Sequence, residues 1–179
     1  SYNIGNQLEV EEAIEILTNR GNKRLQELII ELSSNLLSMD KNIMIKEAQK
    51  IIKEKLETKQ GLDYFYKFIK YQHGQIDFQH TINQIEIKSE KEGYLNKIKA
   101  YELGSLSMSL GAGRTNKEDK INYEAGIKLN KNLQDKIKKG DILCTLYTDK
   151  KIDTKDITNY FIIEKTKKDI PPIIIKTIK

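Results

Sequence analysis

The sequence is poor in the residues that build most catalytic and disulfide-linked sites. Its 179 residues include one cysteine, two histidines and no tryptophan. A single cysteine excludes an internal disulfide bond and favours a reducing compartment. The patterns HExxH, CxxC and GxSxG are also absent, so neither a zinc site nor a nucleophilic serine is indicated. We therefore expect no catalytic residue in this chain.

Long apolar runs are missing as well. No segment has the length and apolarity of a membrane span, and the residues after Ser1 lack the basic-then-apolar pattern of a signal peptide. This pattern predicts a cytoplasmic protein with no membrane partner. The start without methionine suggests a fragment or a processed chain.

Arginine is scarce although the chain is basic. Lysine and arginine total 31 against 26 aspartates and glutamates, which gives a formal charge of +5, yet arginine occurs only at Arg20, Arg24 and Arg114. The lysines alternate with acidic residues, which is typical of a solvated surface, whereas nucleic-acid binders concentrate basic charge and use arginine. We expect no nucleic-acid partner.

Residues 7–73 follow the helical period. Four apolar stripes predict four amphipathic helices, and Asn6 with Glu9 resembles a capping box. The stripe from Leu25 to Leu37 predicts a helix that is buried on more than one side. Gly74 stands where a left-handed helix end is expected. His73 and His80 beside it are interpreted as surface residues and not as a catalytic pair.

Beyond Gly74 the period changes to that of strands. Alternating residues predict strands at 85–88, 94–98, 121–129 and 141–147, with a short helix at 101–110. A helix after Asp153 and a last strand from Ile173 to Ile175 complete the pattern. Cys144 falls inside an apolar strand, so we interpret it as a core residue. The predicted class is α+β.

The glycine-rich segment Gly111-Ala112-Gly113-Arg114 is the most pointed local feature. Two glycines let a backbone approach a ligand, and an arginine can bind phosphate or carboxylate. The alternative, a tight helix-to-strand turn with a solvated Arg114, is favoured by the chemistry alone. The segment is not a P-loop, because it has no Gly-Lys-Ser/Thr and its helix precedes the glycines.

The stretch from Glu86 to Asp141 has the strand, glycine turn and strand order of a biotinyl or lipoyl carrier. A carrier presents a modifiable lysine, typically within Met-Lys-Met, and no such tripeptide occurs here. A stand-alone binding or interaction module of this kind, without a carrier lysine, remains the alternative function.

Several separated motifs resemble one family in the right order. The segment Ile4–Ile14 is similar to a Gly-Asn-x-Leu-Glu-Val-x-Glu-Ala-Ile motif, and Gly93-Tyr94 with Leu110–Asp119 resembles the C-terminal signature of the same family. Gly126-Ile127 and Lys138–Asp141 follow at the expected spacing. The family is that of the pyrimidine-nucleoside phosphorylases, which include thymidine phosphorylase, and the chain resembles its C-terminal portion.

The resemblance implies a pentosyltransferase, in which phosphate attacks the anomeric carbon of a pyrimidine nucleoside and releases the base. The family's partners are therefore phosphate and the nucleoside, and its members are homodimers. Its phosphate- and base-binding motifs precede the Gly-Asn-x-Leu-Glu-Val segment, so none can be assigned to this chain. We expect the chain to be inactive alone, and the choice between thymidine and uridine stays open.

The resemblance also implies a potassium ion in the intact enzyme, held by main-chain carbonyls and a glutamate. The corresponding residues here are Asn3, through its carbonyl, and Glu12. We expect no tightly bound ion in the isolated chain, because a further carbonyl would come from outside it. Glu12 is otherwise a polar position on the first helix.

The family fold implies two parts. Residues 1–75 would be a helical segment of the large α/β domain, and residues 76–179 an α/β-hammerhead-like domain related to the barrel-sandwich folds. Helices without their sheet leave apolar faces uncovered, so self-association is expected. Gly111, Gly113 and Arg114 would form a loop that helps domain closure.

Overall fold

A computed structural model describes residues 1–114 and 116–178 and combines helices with two antiparallel sheets, which confirms the α+β class. The chain divides into two compact units. The helical unit comprises Ser1, Glu11–Asp77 and the residues from Pro172 onward, and the sheet unit comprises Tyr2–Val10 and Phe78–Pro171. The first residues thus differ from the expected helical segment 1–75, because they contribute a strand.

Four helices occupy the first part of the chain, as the apolar stripes predict: α1 (Asn6–Leu17), α2 (Lys23–Lys41), α3 (Ile45–Glu57) and α4 (Gln60–Tyr71). The side chain of Asn22 caps α2 by accepting the backbone N–H groups of Arg24 and Leu25 at 2.9 and 3.2 Å. The left-handed residue after α4 is His73, with φ 57°, and not Gly74. Both His73 and His80 are exposed, as expected.

The helical unit buries few apolar side chains. Ile16, Ala48 and Leu56 are buried, whereas Leu36 on α2 is 70% exposed. The prediction that α2 is buried on more than one side is therefore wrong for this chain, because the residues present in the helical unit do not cover that part of its apolar surface. Other large apolar side chains of the unit are exposed in the same way: Leu32, Met39, Met44, Tyr64, Tyr66, Phe68 and Tyr71.

The described residues of the sheet unit form seven strands: β1 (Asn3–Gly5), β2 (Gln84–Lys88), β3 (Gly93–Ile98), β4 (Gly126–Leu129), β5 (Lys136–Ile137), β6 (Ile142–Tyr147) and β7 (Phe161–Glu164). One sheet has the order β1-β4-β6-β2 and the other β5-β3-β7, and all neighbours are antiparallel. Consecutive strands β2 and β3 therefore belong to different sheets.

Several predicted elements differ from the observed ones. The helix after β3 is α5 (Ala100–Ser107), and it continues into a π-helical turn at Met108–Ala112. The helix expected after Asp153 is only a 3₁₀ turn at Ile157–Tyr160, after which the chain forms β7 and pairs with β3. The strand expected from Ile173 to Ile175 is absent from the described residues, where this segment is irregular.

One apolar core joins the two sheets of the sheet unit. Its buried members include Leu95, Leu103, Ile127, Leu143, Leu146 and Phe161. Cys144 belongs to the same core and is fully buried, which confirms its interpretation as a core residue. Among the described residues, no helix combines the length and apolar character that a membrane crossing requires.

Candidate functional site

A small cleft lies beside the glycine-rich segment of the sheet unit. It has a volume of about 210 Å³ and is bounded by β1, the first turn of α1, α5 and the π-helical turn. Its lining residues are Ile4, Gly5, Asn6, Glu9, Gly104, Ser107, Met108, Ala112 and Gly113. We call it the glycine-turn cleft. The cleft brings Ala112 and Gly113 of the glycine-rich segment next to the start of α1, which the sequence shows only as a separate motif.

Gly111 has the one backbone conformation in this turn that favours glycine. Its φ is 114°, a value that side chains with a Cβ rarely adopt. Two hydrogen bonds fix the turn around it: Asn122 donates its N–H to the Gly111 carbonyl at 2.9 Å, and the buried Thr148 hydroxyl donates to the Leu110 carbonyl at 2.7 Å. The turn is therefore anchored to the end of β6.

The other predicted members of this segment have different roles. Gly113 has an extended backbone, with φ −135° and ψ −178°, so its conformation does not require glycine. A Cβ at Gly113 would lie 2.8 Å from Cγ of Met108, a flexible side chain that can shift. Arg114 is exposed at the end of the turn. Its neighbour Thr115, part of the quoted signature, lies outside the described residues.

Asn6 ties the start of α1 to the glycine turn. Its side-chain amide donates to the Ala112 carbonyl at 2.8 Å. The predicted capping box is therefore only half correct: Glu9 reaches back as expected but accepts the N–H of Gly5, at 3.0 Å. Asn6 does not cap the helix with its side chain, because that side chain bonds across the cleft. The role of Asn6 in the cleft was missed by sequence reasoning.

A close approach of two glycines holds β1 against β4. Gly5 pairs with Gly126, and a Cβ on Gly126 would lie 2.5 Å from the Ile4 carbonyl oxygen. On Gly5, which has φ 142°, a Cβ would lie 2.7 Å from the Ala125 carbonyl oxygen. Both glycines belong to the quoted motifs, and the reason for them is backbone proximity.

Asn3, the first predicted potassium ligand, lies on β1 and is buried. Its side-chain amide donates to the Leu8 carbonyl at 2.6 Å. Leu129 donates its N–H to the Tyr2 carbonyl at 2.6 Å, so the alternation of an antiparallel ladder directs the peptide groups of Asn3 away from β4. Proteins coordinate potassium ions with backbone carbonyl oxygens. A carbonyl that points away from the neighbouring strand has the orientation that such a ligand needs.

Glu12, the second predicted ligand, lies on α1 and is 3% exposed. Its Oε2 accepts a hydrogen bond from the Ser1 hydroxyl at 2.5 Å. Carboxylate oxygens are suitable ligands for hard cations. Among the described residues, no group of three or more His, Cys, Asp or Glu side chains forms a cluster that could hold a metal. A potassium site that relies on backbone carbonyls does not require one.

The carboxylate of Glu124, in the loop before β4, has a shifted pKa. It accepts the backbone N–H of Thr81 at 2.7 Å and also bonds the Thr81 hydroxyl. The backbone hydrogen bond is the main cause that lowers the pKa of Glu124, with a smaller contribution from the charge of His80. His80 packs its ring 5.8 Å from that of Tyr147. The Glu124 hydrogen bonds fasten the segment before β2 to the loop before β4, and the His80 ring contact links the same segment to the end of β6.

Comparison with known proteins gives consistent matches. A family model described as the pyrimidine nucleoside phosphorylase C-terminal domain matches residues 94–164. The pyrimidine-nucleoside phosphorylase of Staphylococcus aureus strain bovine RF122 / ET3-1 is 37% identical over 162 residues, which cover 86% of this chain and 37% of the relative. The proteins of the same name from strains USA300 and NCTC 8325 / PS 47 match equally well. The chain thus spans little more than a third of the length of these relatives.

Proposed function

Because the chain is a C-terminal portion of the pyrimidine-nucleoside phosphorylase family, we propose that it serves in an enzyme that transfers the pentose of a pyrimidine nucleoside to phosphate. The observation that carries this proposal is the 37% identity over 162 residues. The structure gives physical reasons for four residues of the quoted motifs. Gly5, Gly111 and Gly126 occupy backbone positions that a Cβ would strain or crowd, and the side chain of Asn6 bonds the Ala112 carbonyl.

The reaction breaks the bond between the base and the anomeric carbon while a phosphate oxygen forms a new bond to that carbon. Charge develops on the departing base and on the pentose, so the enzyme must supply oriented charges and dipoles. We assign none of these groups to this chain and expect it to be inactive alone. Its role is to support the active-site cleft of the intact enzyme.

The glycine turn is proposed to take part in closure of that cleft. The turn around Gly111 is held in place, and Arg114 at its end is exposed, so the arginine side chain is the part of the turn that can reach an anionic group. Closure of a loop over a substrate excludes water and completes the active site. In a closing loop the Arg114 side chain would contribute to activity, whereas in a purely structural turn it would not.

Arg114→Ala tests this role in a chimera in which the chain replaces the matching part of the Staphylococcus aureus relative. We expect kcat for nucleoside phosphorolysis to fall about tenfold or more, since a group that acts only in the closed state affects the transition state. Lys117→Ala, which removes an exposed charge from the same segment, is the control and leaves kcat within about twofold. Unchanged kinetic constants in both variants would make the turn purely structural.

The potassium ion and the oligomeric state of the intact enzyme are part of the proposal. We propose that the Asn3 carbonyl and the Glu12 carboxylate contribute to potassium binding in the intact enzyme. We also propose a hammerhead-like fold for residues 76–179, a cytoplasmic location and a homodimeric enzyme. The exposed apolar side chains of α2–α4 support self-association of the isolated chain.

A further inference from the structure

A second depression in the sheet unit has a different character from the glycine-turn cleft. It lies where β3, β5 and the end of β7 meet and has a volume of about 680 Å³. Its lining residues are Glu92, Gly93, Tyr94, Lys136, Ile137, Lys138, Lys139 and Lys165. We call it the lysine groove. It occupies the part of the chain with the carrier-like strand and turn order, for which the proposed function gives no role.

The strand geometry explains why the lysines converge. Ile137 is 1% exposed and points into the core, so Lys136 and Lys138 on either side of it project from the opposite face. Tyr94 on β3 pairs directly with Lys136, which places their Cβ atoms about 5 Å apart on this face. Lys139 extends the row into the turn at Gly140.

The groove is strongly positive. Four of its side chains are ammonium groups and one, Glu92, is a carboxylate. In the part of the chain that the structure describes, none of the four lysines forms an ion pair. A concave surface lined by charge of one sign concentrates counter-ions. Acidic and basic residues alternate along most of the sequence, whereas lysines outnumber acidic residues four to one in this groove.

The nearby acidic groups bind other partners. Asp141 accepts from the Lys131 ammonium at 2.8 Å and from the backbone N–H of Lys138 at 3.1 Å, and these hydrogen bonds lower its pKa. Glu164 binds the Lys168 ammonium at 2.8 Å and the amide of Asn96 at 2.7 Å, which lower its pKa as well. Both carboxylates therefore stay ionised at neutral pH. The charge of Lys138 also lowers the pKa of Asp141, but the ammonium groups that pair with the two carboxylates are those of Lys131 and Lys168, outside the groove.

We propose that the lysine groove binds a small anion that carries several phosphate groups. Its volume is in the range of small-ligand sites, and the charge of four lysines matches a chain of phosphates better than a single carboxylate. Lysine binds phosphate as a mobile point charge with three donors, so the groove adapts to an oligophosphate without a fixed fork geometry. The half-buried Tyr94 offers a ring for a base if the anion is a nucleotide.

Calorimetric titration of the 179-residue chain with inorganic tripolyphosphate tests the proposal. We expect saturable one-to-one binding that weakens about tenfold or more when the ionic strength rises from about 0.02 M to about 0.2 M. The double variant Lys138→Gln/Lys139→Gln should weaken binding about tenfold or more. The matched control, Lys151→Gln/Lys155→Gln, removes two exposed lysines outside the groove and should leave the affinity within about twofold.

Four results would contradict binding of an oligophosphate in the lysine groove. Absence of saturable binding by the folded wild-type chain would contradict it, as would an equal loss of affinity in the groove and control variants. Tighter binding of citrate than of tripolyphosphate would also contradict it, because the groove would then lack preference for phosphate. A single-stranded oligonucleotide that binds with a site size beyond one groove, and that displaces no tripolyphosphate, would assign the charge to nucleic acid instead.

A second titration, with ATP, decides whether the ligand is a nucleotide or a phosphate chain alone. If Tyr94→Leu weakens ATP about threefold or more and leaves tripolyphosphate unchanged, the ring contacts a base and the ligand is a nucleotide. If both ligands are unaffected by Tyr94→Leu but lost in the lysine variant, the groove recognises the phosphate chain alone. Both results support the site and differ only in the rest of the ligand.

Discussion

Replacing Gly126 by alanine is expected to lower the free energy of unfolding of the sheet unit by about 3 kcal/mol. The added Cβ would lie 2.5 Å from the Ile4 carbonyl oxygen, 2.9 Å from Cδ1 of Leu8 and 3.2 Å from Cα of Gly5. Two of these atoms are backbone, so relief requires separation of β1 from β4. Such a movement would also displace Asn6, which holds the glycine turn.

Gly104→Ala is the matched control for this prediction. Gly104 lies inside α5, where a Cβ would meet no atom within 4 Å apart from the backbone of its own helix and its chain neighbours. Alanine there should raise stability by about 0.5–1 kcal/mol, because it restricts the unfolded chain and favours the helix. Urea titration followed through the NMR signals of β4 and β6 amides reports on the sheet unit alone. A loss below about 1 kcal/mol for Gly126→Ala would show that β1 is not closely held.

The thiol of Cys144 is expected to be alkylated about a thousandfold more slowly in the folded chain than in concentrated urea at pH 8. The residue is fully buried in β6, and burial raises the pKa of the Cys144 thiol from 9.0 to about 12. At pH 8 this rise in pKa lowers the thiolate fraction by about three orders of magnitude. The alkylation rate falls by the same factor, because the thiolate is the reactive form. Iodoacetamide labelling followed by intact mass measures both rates, and Cys144→Ser provides the unreactive control.

The same shift in pKa gives the chain a defined dependence on pH. The folded state holds the neutral thiol, so the contribution of Cys144 to stability is complete below pH 9. It is lost between pH 9 and about 12, where only the unfolded chain releases the proton. Rapid labelling of the folded chain at pH 8 would contradict this account, because it would mean that β6 opens or that the thiol is accessible.

The helices could be predicted from the sequence because their signal is local. The stripes that include Ile14 and Leu17 or Ile52 and Leu56 repeat at the helical period within one segment, and all four helices are observed. Their burial could not be predicted. Whether Leu36 is covered depends on residues distant in the chain or in another part of the protein, and a periodic stripe carries no information about its partner.

The strands that the sequence pattern missed or wrongly predicted depend on pairing between distant segments. β1 has only three residues, Asn3–Gly5, and exists because β4 offers its edge more than a hundred residues later. Ile157, Tyr160, Phe161 and Glu164 match the helical spacing, yet from Phe161 onward the chain pairs with β3. Ile173–Ile175 is apolar enough for a strand but forms no ladder in the described residues. Pairing overrides local preference at these positions.

The candidate site was predictable only in its components. The glycines at 111 and 113 and the Gly5-Asn6 motif were visible as separate features, but nothing in the sequence connects Asn6 with Ala112 or Thr148 with Leu110. These hydrogen bonds join residues that the fold brings together. The glycine-turn cleft therefore required the structure, whereas the family resemblance required only the order of the motifs.

We propose that this chain is a working C-terminal portion of a pyrimidine-nucleoside phosphorylase. The most direct measurement is nucleoside phosphorolysis by the chimera that carries this chain in place of the matching part of the Staphylococcus aureus relative, compared with the relative truncated before that part. We predict that the chimera restores kcat/KM to within about tenfold of the intact relative, while the truncated protein and the isolated chain are inactive. A folded chimera with no more activity than the truncated protein would contradict the claim.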